Sequence, residues 1–316
     1  MKLRVLCSII LYILNIFLCL SLLFSCSNSK NDQSQSQSQS QFSQYKSTSP
    51  IDLKIIGGSA VPSNRWKSAV ALTDIRNKKM FCSGTLITRE LVLTAAHCLK
   101  SNSFTNEQDR IMYIRVYVGS GVEGGKFIGQ HKIKMARVHP QYDTIENQWA
   151  DIGFVVLTDP IGQNDIRDND FLPILDGQQE ILNTLTYGKN IRLVGFGDRD
   201  FIEPPDEIEI DGIEADQNYC NTKSHSGIKY EVDVPLKNIT GSELVWDGSY
   251  SCGHYYGDSG GPVYVKTQNG SWKIAAIISR GDLQNMEGID VLVSPFICWI
   301  QETSNIQLPH TYKKCL

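Results

Sequence analysis

The chain has 316 residues, of which 41% are hydrophobic and 20% charged, which is the composition of an ordinary globular protein. Such a length is sufficient for one large domain or two modest ones. A formal net charge of −4 provides no basic excess, so the composition argues against nucleic acid as a partner.

Residues 1 to 26 predict a signal peptide, because a short basic start precedes an apolar run from Val5 to Phe24. That run is also long enough to span a bilayer, so an uncleaved anchor is the alternative. Cys26 follows a small residue in a sequence that resembles a bacterial lipobox. Cys26 would then be lipidated at the mature N-terminus. A plain signal peptide with a chance cysteine remains the other interpretation.

Residues 27 to 54 form a polar segment, rich in Ser, Gln, Asn and Lys over most of its length. It contains too few apolar side chains to offset the entropy lost on folding, so we expect a disordered linker or propeptide. A Gln-rich interaction segment is the alternative.

Three separated segments carry residues suited to nucleophilic catalysis. A β-rich run at residues 91 to 98 ends in a small-residue turn with His97, and Asp151 precedes a strand expected to be fully buried. The run Gly-Asp-Ser-Gly-Gly-Pro at residues 257 to 262 is more demanding, because its glycines permit the tight turn that presents Ser259. In the order His, Asp, Ser, these segments resemble the chymotrypsin–trypsin family of serine peptidases.

The resemblance implies a serine endopeptidase that hydrolyses peptide bonds through an acyl-enzyme. Ser259 would attack the scissile carbonyl, while His97 would take its proton and return it to the leaving amine. Asp151 would orient the imidazole and stabilise its charged form. The amides of Gly257 and Ser259 would hold the oxyanion.

Two further residues are expected near the substrate by the same resemblance. Ser279 would hydrogen-bond Asp151, and Gly281 would pair with the substrate backbone. A plain turn after a strand is the alternative for each position.

The sequence Lys-Ile-Ile-Gly-Gly at residues 54 to 58 matches the activation site of the family. Cleavage after Lys54 would free the amine of Ile55, which would pair with Asp258 and order the oxyanion hole. The alternative is that Ile55 merely begins a strand. The motif lies where the polar segment ends, which favours a precursor that a second protease activates. If Cys26 carries a lipid, the same cut would release the enzyme from a membrane tether.

The segment expected to form the substrate pocket departs from the family pattern. The family's trypsin-like members place an acid six residues before the nucleophile, where this chain has Gly253. Asp290 lies on a strand that resembles the back wall of the pocket, and its carboxylate would favour Arg or Lys at the cleavage site. The alternative is that Asp290 bonds to His254, to a tyrosine or to the backbone.

Six of the nine cysteines lie beyond residue 26, and an even number fits disulfides formed in an oxidising compartment. By resemblance, Cys82 pairs with Cys98, which follows the catalytic histidine. The other four cysteines allow three pairings, of which we expect Cys220–Cys252 and Cys298–Cys315.

Strand-like runs separated by Gly-, Asn- and Asp-rich turns predict an all-β protein. By resemblance, residues 55 to 316 form two packed six-stranded Greek-key β-barrels, with the boundary between them in the chain near residues 165 to 185. A C-terminal α-helix would begin with Ser294 as its cap and Pro295 in its first turn. The predicted strands are Ala69–Leu72, Thr85–Ile87, Leu91–Thr94, Ile111–Val118, Lys132–Val138, Gly153–Leu157, Ile191–Gly195, Tyr230–Pro235, Gly261–Val265 and Ile274–Ser279.

The main alternative function is a catalytically inactive binding protein of the same fold, but such proteins usually lack a triad residue, and this chain has all three. The sequence shows no metal-ligand spacing, so no metal or other cofactor is expected. The expected partners are protein or peptide substrates and an activating protease, and not nucleic acid. We expect a monomer that is secreted or held at the cell envelope.

Overall fold

A computed structural model of the chain describes residues 58–101, 103–121, 127–142, 148–197, 227–248, 253–254, 256–282, 287–308 and 315, with the side chains of 127–129 excluded. The predictions made for the signal peptide, Cys26, Lys54, Ile55, Cys220 and Cys252 lie outside these residues.

The described residues are mainly β-strands, and neighbouring strands run antiparallel. Most of the predicted strands coincide with observed ones, which are in general a few residues longer. The strands are β1 (Ser59–Ala60), β2 (Ala69–Asp74), β3 (Lys79–Leu86), β4 (Leu91–Thr94), β5 (Ile114–Gly119), β6 (Phe127–Val138), β7 (Gly153–Leu157), β8 (Asn190–Gly195), β9 (Tyr230–Thr240), β10 (Glu243–Asp247), β11 (Pro262–Lys266), β12 (Trp272–Asp282) and β13 (Glu287–Leu292).

The first barrel is a closed ring of six strands in the order β2-β3-β4-β7-β6-β5. Its short strands β4 and β7 are buried along their whole length. Both strands are mostly apolar in sequence, because each side chain faces either the barrel interior or the rest of the domain.

The second barrel follows in the chain and has the order β9-β10-β13-β12-β11-β8. Pairing of β8 with β9 closes the ring, and β1 adds to β9. One apolar cluster joins the barrels, since it contains Leu93 and Phe154 from the first and Tyr264 and Ile277 from the second. The expected all-β architecture of two six-stranded barrels is therefore confirmed.

The part of the chain that the structure describes contains four short helices: α1 (Ala96–Leu99), α2 (Glu107–Tyr113), α3 (Gln178–Thr184) and α4 (Ile297–Ser304). The predicted strand Ile111–Val118 was wrong at its start, because its first three residues belong to α2. Helix α2 is fixed by Asn106, whose side chain accepts a hydrogen bond from the amide of Asp109.

The predicted C-terminal helix is α4, which buries Ile297 and Ile300. A 3₁₀ turn, Ser294–Phe296, precedes it and contains Pro295. Ser294 was expected to cap the helix, but that position is inside the turn and no side-chain cap forms. Among the described ranges, none of the helices has the length and apolar character needed to cross a membrane.

Candidate active site

His97 and Asp151 are brought together by the pairing of β4 with β7. Thr94 at the end of β4 lies opposite Gly153 at the start of β7. In an antiparallel pair, the residues that follow one strand and precede the next emerge at the same end. Helix α1 carries His97 three residues beyond Thr94, and a 3₁₀ turn ends immediately before Asp151.

The carboxylate of Asp151 contacts His97 at two points. Its Oδ2 lies 2.7 Å from the ring Nδ1, and its Oδ1 accepts the backbone N–H of His97 at 2.8 Å. The Asp151 side chain is 5% exposed, whereas that of His97 is 36% exposed. The carboxylate is thus shielded from water, while the imidazole remains open to a substrate.

Ser279 from the second barrel completes the surroundings of Asp151, since its Oγ donates a 2.6 Å hydrogen bond to Oδ2. Burial opposes ionisation of Asp151. The charge of His97 and the hydrogen bonds from His97 and Ser279 outweigh burial, so the pKa of Asp151 lies below its usual range. The carboxylate is therefore held in its charged form, the form that can stabilise an imidazolium.

The loop that carries Ser259 is clamped against the first barrel. The carbonyl of Ser259 accepts the amide of Ser83 at 2.9 Å, and the Oγ of Ser83 donates to the carbonyl of Gly257 at 2.8 Å. A Cβ atom on Gly260 would lie 2.2 Å from Oγ1 of Thr94, so only glycine permits this approach. Because Thr94 ends the strand before α1, the contact brings Ser259 to the barrel edge that carries His97.

Two glycines give this loop its shape, with φ of 91° at Gly257 and 83° at Gly260. Residues other than glycine rarely adopt these values. The run predicted from the sequence to turn sharply around Ser259 therefore does so.

Asp258, the residue before Ser259, is fully buried. Its Oδ1 accepts the amide of Gly197 at 2.8 Å. A Cβ on Gly195 or Gly197 would lie 2.1 or 2.6 Å from atoms of the Asp258 carboxyl group. Gly195 and Gly197 therefore leave room for this carboxyl group beside the loop that carries Ser259.

Asp290 is fully buried on β13, and described residues surround its carboxylate. Its Oδ2 accepts the indole N–H of Trp246 at 2.9 Å, and its Oδ1 accepts the amide of Ser279 at 3.2 Å. Nε2 of His254 lies 3.3 Å from Oδ1, at ion-pair distance but outside hydrogen-bond geometry. The contact with His254 is one that the sequence offered as an alternative to substrate binding.

Trp246 is a site residue that sequence reasoning missed. It lies on β10, which was not among the predicted strands. Leu244 and Trp246 are buried and Val245 between them is half-buried, and the apolar run at residues 244 to 246 is the signal that the sequence carries. The partner of its indole, Asp290, is visible only in the fold.

The sulfur atoms near His97 do not offer a metal site. Cys82, His97 and Cys98 place ligand atoms within 4.8 Å of one another. Cys82 and Cys98 are joined in a disulfide, with Cα atoms 6.2 Å apart, so neither presents a thiolate. A second disulfide joins Cys298 of α4 to Cys315.

Comparison with known proteins agrees with this architecture. A family model described as Trypsin matches residues 55–300. The chain is 25% identical to the clotting factor G beta subunit of Tachypleus tridentatus, over 80% of each chain. It is 26% identical to a tryptase of Mus musculus, over 78% of this chain and 87% of the relative. It is 25% identical to a trypsin-like protease of Streptomyces glaucescens, over 73% and 74% of the two chains. The chain belongs to the trypsin family of serine proteases.

Proposed function

We propose that the chain is a serine endopeptidase in which Ser259, His97 and Asp151 act as the catalytic triad. The observation that carries this proposal is the double contact between Asp151 and His97, reinforced by Ser279. That arrangement holds Nδ1 protonated and leaves Nε2 able to take the proton of Ser259. The proton would pass to Nε2 as Ser259 attacks the carbonyl carbon, and from Nε2 to the leaving amine as the acyl-enzyme forms.

The oxyanion of the tetrahedral intermediate would accept hydrogen bonds from the amides of Gly257 and Ser259. The positive φ of Gly257 supports this assignment, since it permits the sharp turn needed for two amides to converge. Fixing of the loop by Ser83 supports it too, because preorganised donors need no rearrangement during the reaction.

Activation would follow cleavage after Lys54 by another protease. The freed ammonium of Ile55 would pair with Asp258. Because Asp258 is buried, its carboxylate would be stabilised by an opposite charge at this position. The secretion signal, lipidation of Cys26, release of a membrane-tethered precursor and a monomeric state belong to the same proposal. Protein or peptide substrates and an activating protease would be the partners.

The sequence favoured Arg or Lys at the cleavage site through an ion pair with Asp290. That preference stays a prediction, and the contacts of Asp290 weaken it. Trp246 and Ser279 already donate to its two oxygens, and His254 lies beside them. A substrate cation would have to displace at least one of these neighbours.

Hydrolysis of a denatured protein substrate tests the proposal against the alternative of an inactive binding protein. The full chain should be assayed before and after cleavage after Lys54, beside the Ser259→Ala and Lys54→Gln variants. We expect hydrolysis only from cleaved chain with Ser259 intact, and no activation of Lys54→Gln. Equal hydrolysis by Ser259→Ala, or none by cleaved wild type, would reject the enzyme.

A further inference from the structure

Three residues form a row across neighbouring strands beside the catalytic residues. Trp246 on β10 lies opposite Gly288 on β13, and Gly288 lies opposite Gly281 on β12. Directly opposed residues in antiparallel strands project to the same face of the sheet. Gly288 and Gly281 have no side chain, whereas Trp246 carries the largest side chain of any amino acid.

The indole of Trp246 fills the space that the glycines leave. A Cβ on Gly288 would lie 1.9 Å from ring atoms Cε2 and Cζ2 of Trp246. A Cβ on Gly253 would lie 2.3 Å from Cη2 of the same ring. Trp246 is 1% exposed, so the ring is enclosed between these two backbone segments.

Polar contacts fix the position of the ring. Its N–H donates to Asp290 at 2.9 Å, and the ring of His254 packs against it edge-on with centroids 5.2 Å apart. The His254 side chain is 4% exposed and that of Asp290 is fully buried. Removing the indole would leave a buried carboxylate short of a donor, which disfavours any movement of the ring out of this space.

The filled space adjoins the reacting centre. Ser279 donates its backbone N–H to Asp290 and its hydroxyl to Asp151. It therefore connects Asp290, the hydrogen-bond partner of Trp246, to the catalytic carboxylate. Gly253 lies six residues before Ser259 in the chain. A substrate side chain held next to Ser259 and entering between Gly281 and Gly253 would meet the indole.

We propose that Trp246 determines the specificity of this peptidase by closing the substrate pocket, so that cleavage follows small residues such as Ala, Gly or Ser. This inference rests on the proposed peptidase function. Asp290 then holds the indole in place, and does not form an ion pair with a charged substrate side chain. Pocket shape sets the cleavage-site preference in triad peptidases, and a small pocket selects small side chains.

The wild-type enzyme provides the first test. Activated full-length chain should be assayed with peptides that differ only in Ala, Leu, Phe, Lys or Arg before the scissile bond. One excess methylene in a filled pocket changes discrimination by about 10- to 200-fold, so kcat/KM should be at least about tenfold higher for Ala than for the others. Benzamidine, which mimics an arginine side chain, should not compete with the Ala peptide. A preference for Arg, Lys or Phe would overturn the inference.

Opening the pocket provides the second test. In Trp246→Ala, kcat/KM for the Arg peptide should rise at least about tenfold relative to the Ala peptide, and benzamidine should inhibit. Adding Asp290→Asn to Trp246→Ala should remove the gain for Arg but keep a gain for Phe. The control is Trp272→Ala, which removes a tryptophan at the start of β12, away from this row. It should keep the wild-type preference. An unchanged profile in folded Trp246→Ala would refute the proposal.

Labelling by a fluorophosphonate separates the two levels of failure, because it reports reactive serine without needing a cleavage-site side chain. A wild-type chain that fails to label rejects the peptidase function itself. A chain that labels at Ser259 yet cleaves after Arg or Lys rejects only the role of Trp246. All rates are normalised to the labelled fraction, so partial misfolding of a variant does not imitate a change in preference.

Discussion

Replacing Asp151 by Asn leaves the size of the side chain unchanged but replaces one oxygen, a hydrogen-bond acceptor, with an NH₂ group, which is a donor. Oδ1 of Asp151 accepts the backbone N–H of His97, a donor that cannot turn away. The amide oxygen of Asn will therefore occupy this position, which places its NH₂ group where Oδ2 now accepts from Nδ1 of His97. Ser279 can rotate its hydroxyl so that its oxygen accepts from that group, which gives the new NH₂ group an acceptor.

The NH₂ group forces His97 to present a lone pair at Nδ1 and to carry its proton on Nε2. That tautomer cannot accept the proton of Ser259. Loss of the correct tautomer in a triad lowers kcat by about 10⁴-fold, equivalent to about 5 kcal/mol of transition-state stabilisation.

The assay compares kcat of activated Asp151→Asn with wild type on one peptide, with stability measured by denaturant unfolding. The control is Asp74→Asn, another buried carboxylate, which lies on β2 and pairs with Arg76. We expect Asp74→Asn to lose stability and keep kcat. A kcat for Asp151→Asn within tenfold of wild type would refute this account of how Asp151 orients His97.

Two further changes test other contacts. Ser279→Ala removes a hydrogen bond to a charged group, worth about 1.5–3 kcal/mol, so kcat should fall by at most about 150-fold. Since Ser279 helps to lower the pKa of Asp151, the stability that this carboxylate contributes is present at neutral pH and lost as pH falls. The loss of the free energy of unfolding on acidification should therefore begin at higher pH in Ser279→Ala than in wild type, and an unshifted onset in denaturant titrations at several pH values would contradict this. Replacing Cys82 and Cys98 together by Ser should lower the free energy of unfolding by about 3 kcal/mol, read from denaturant titration, since the closed loop spans 16 residues. An unchanged midpoint would contradict that role.

Much of the architecture could be predicted because the informative residues act locally. The apolar runs of β4 and β7 are buried on both sides, so they read as strands without knowledge of their partners. The glycines around Ser259 predict a tight turn, because glycine adopts backbone conformations that other residues rarely do.

The failures concern residues whose role depends on distant partners. Ile111 resembles the start of a strand because it is apolar and precedes β5, yet it belongs to α2. Asn106 and the acidic residues after it were the available signal for that helix. Trp246 could not be assigned, because only the register of β10 with β13 places it over Gly288.

The most direct test of the central claim is to map the residue modified by a fluorophosphonate in chain cleaved after Lys54, by mass spectrometry of its peptides. We predict a single adduct on Ser259, which disappears in Ser259→Ala and is strongly reduced in His97→Ala. Cleaved, folded chain without an adduct on Ser259 would contradict it.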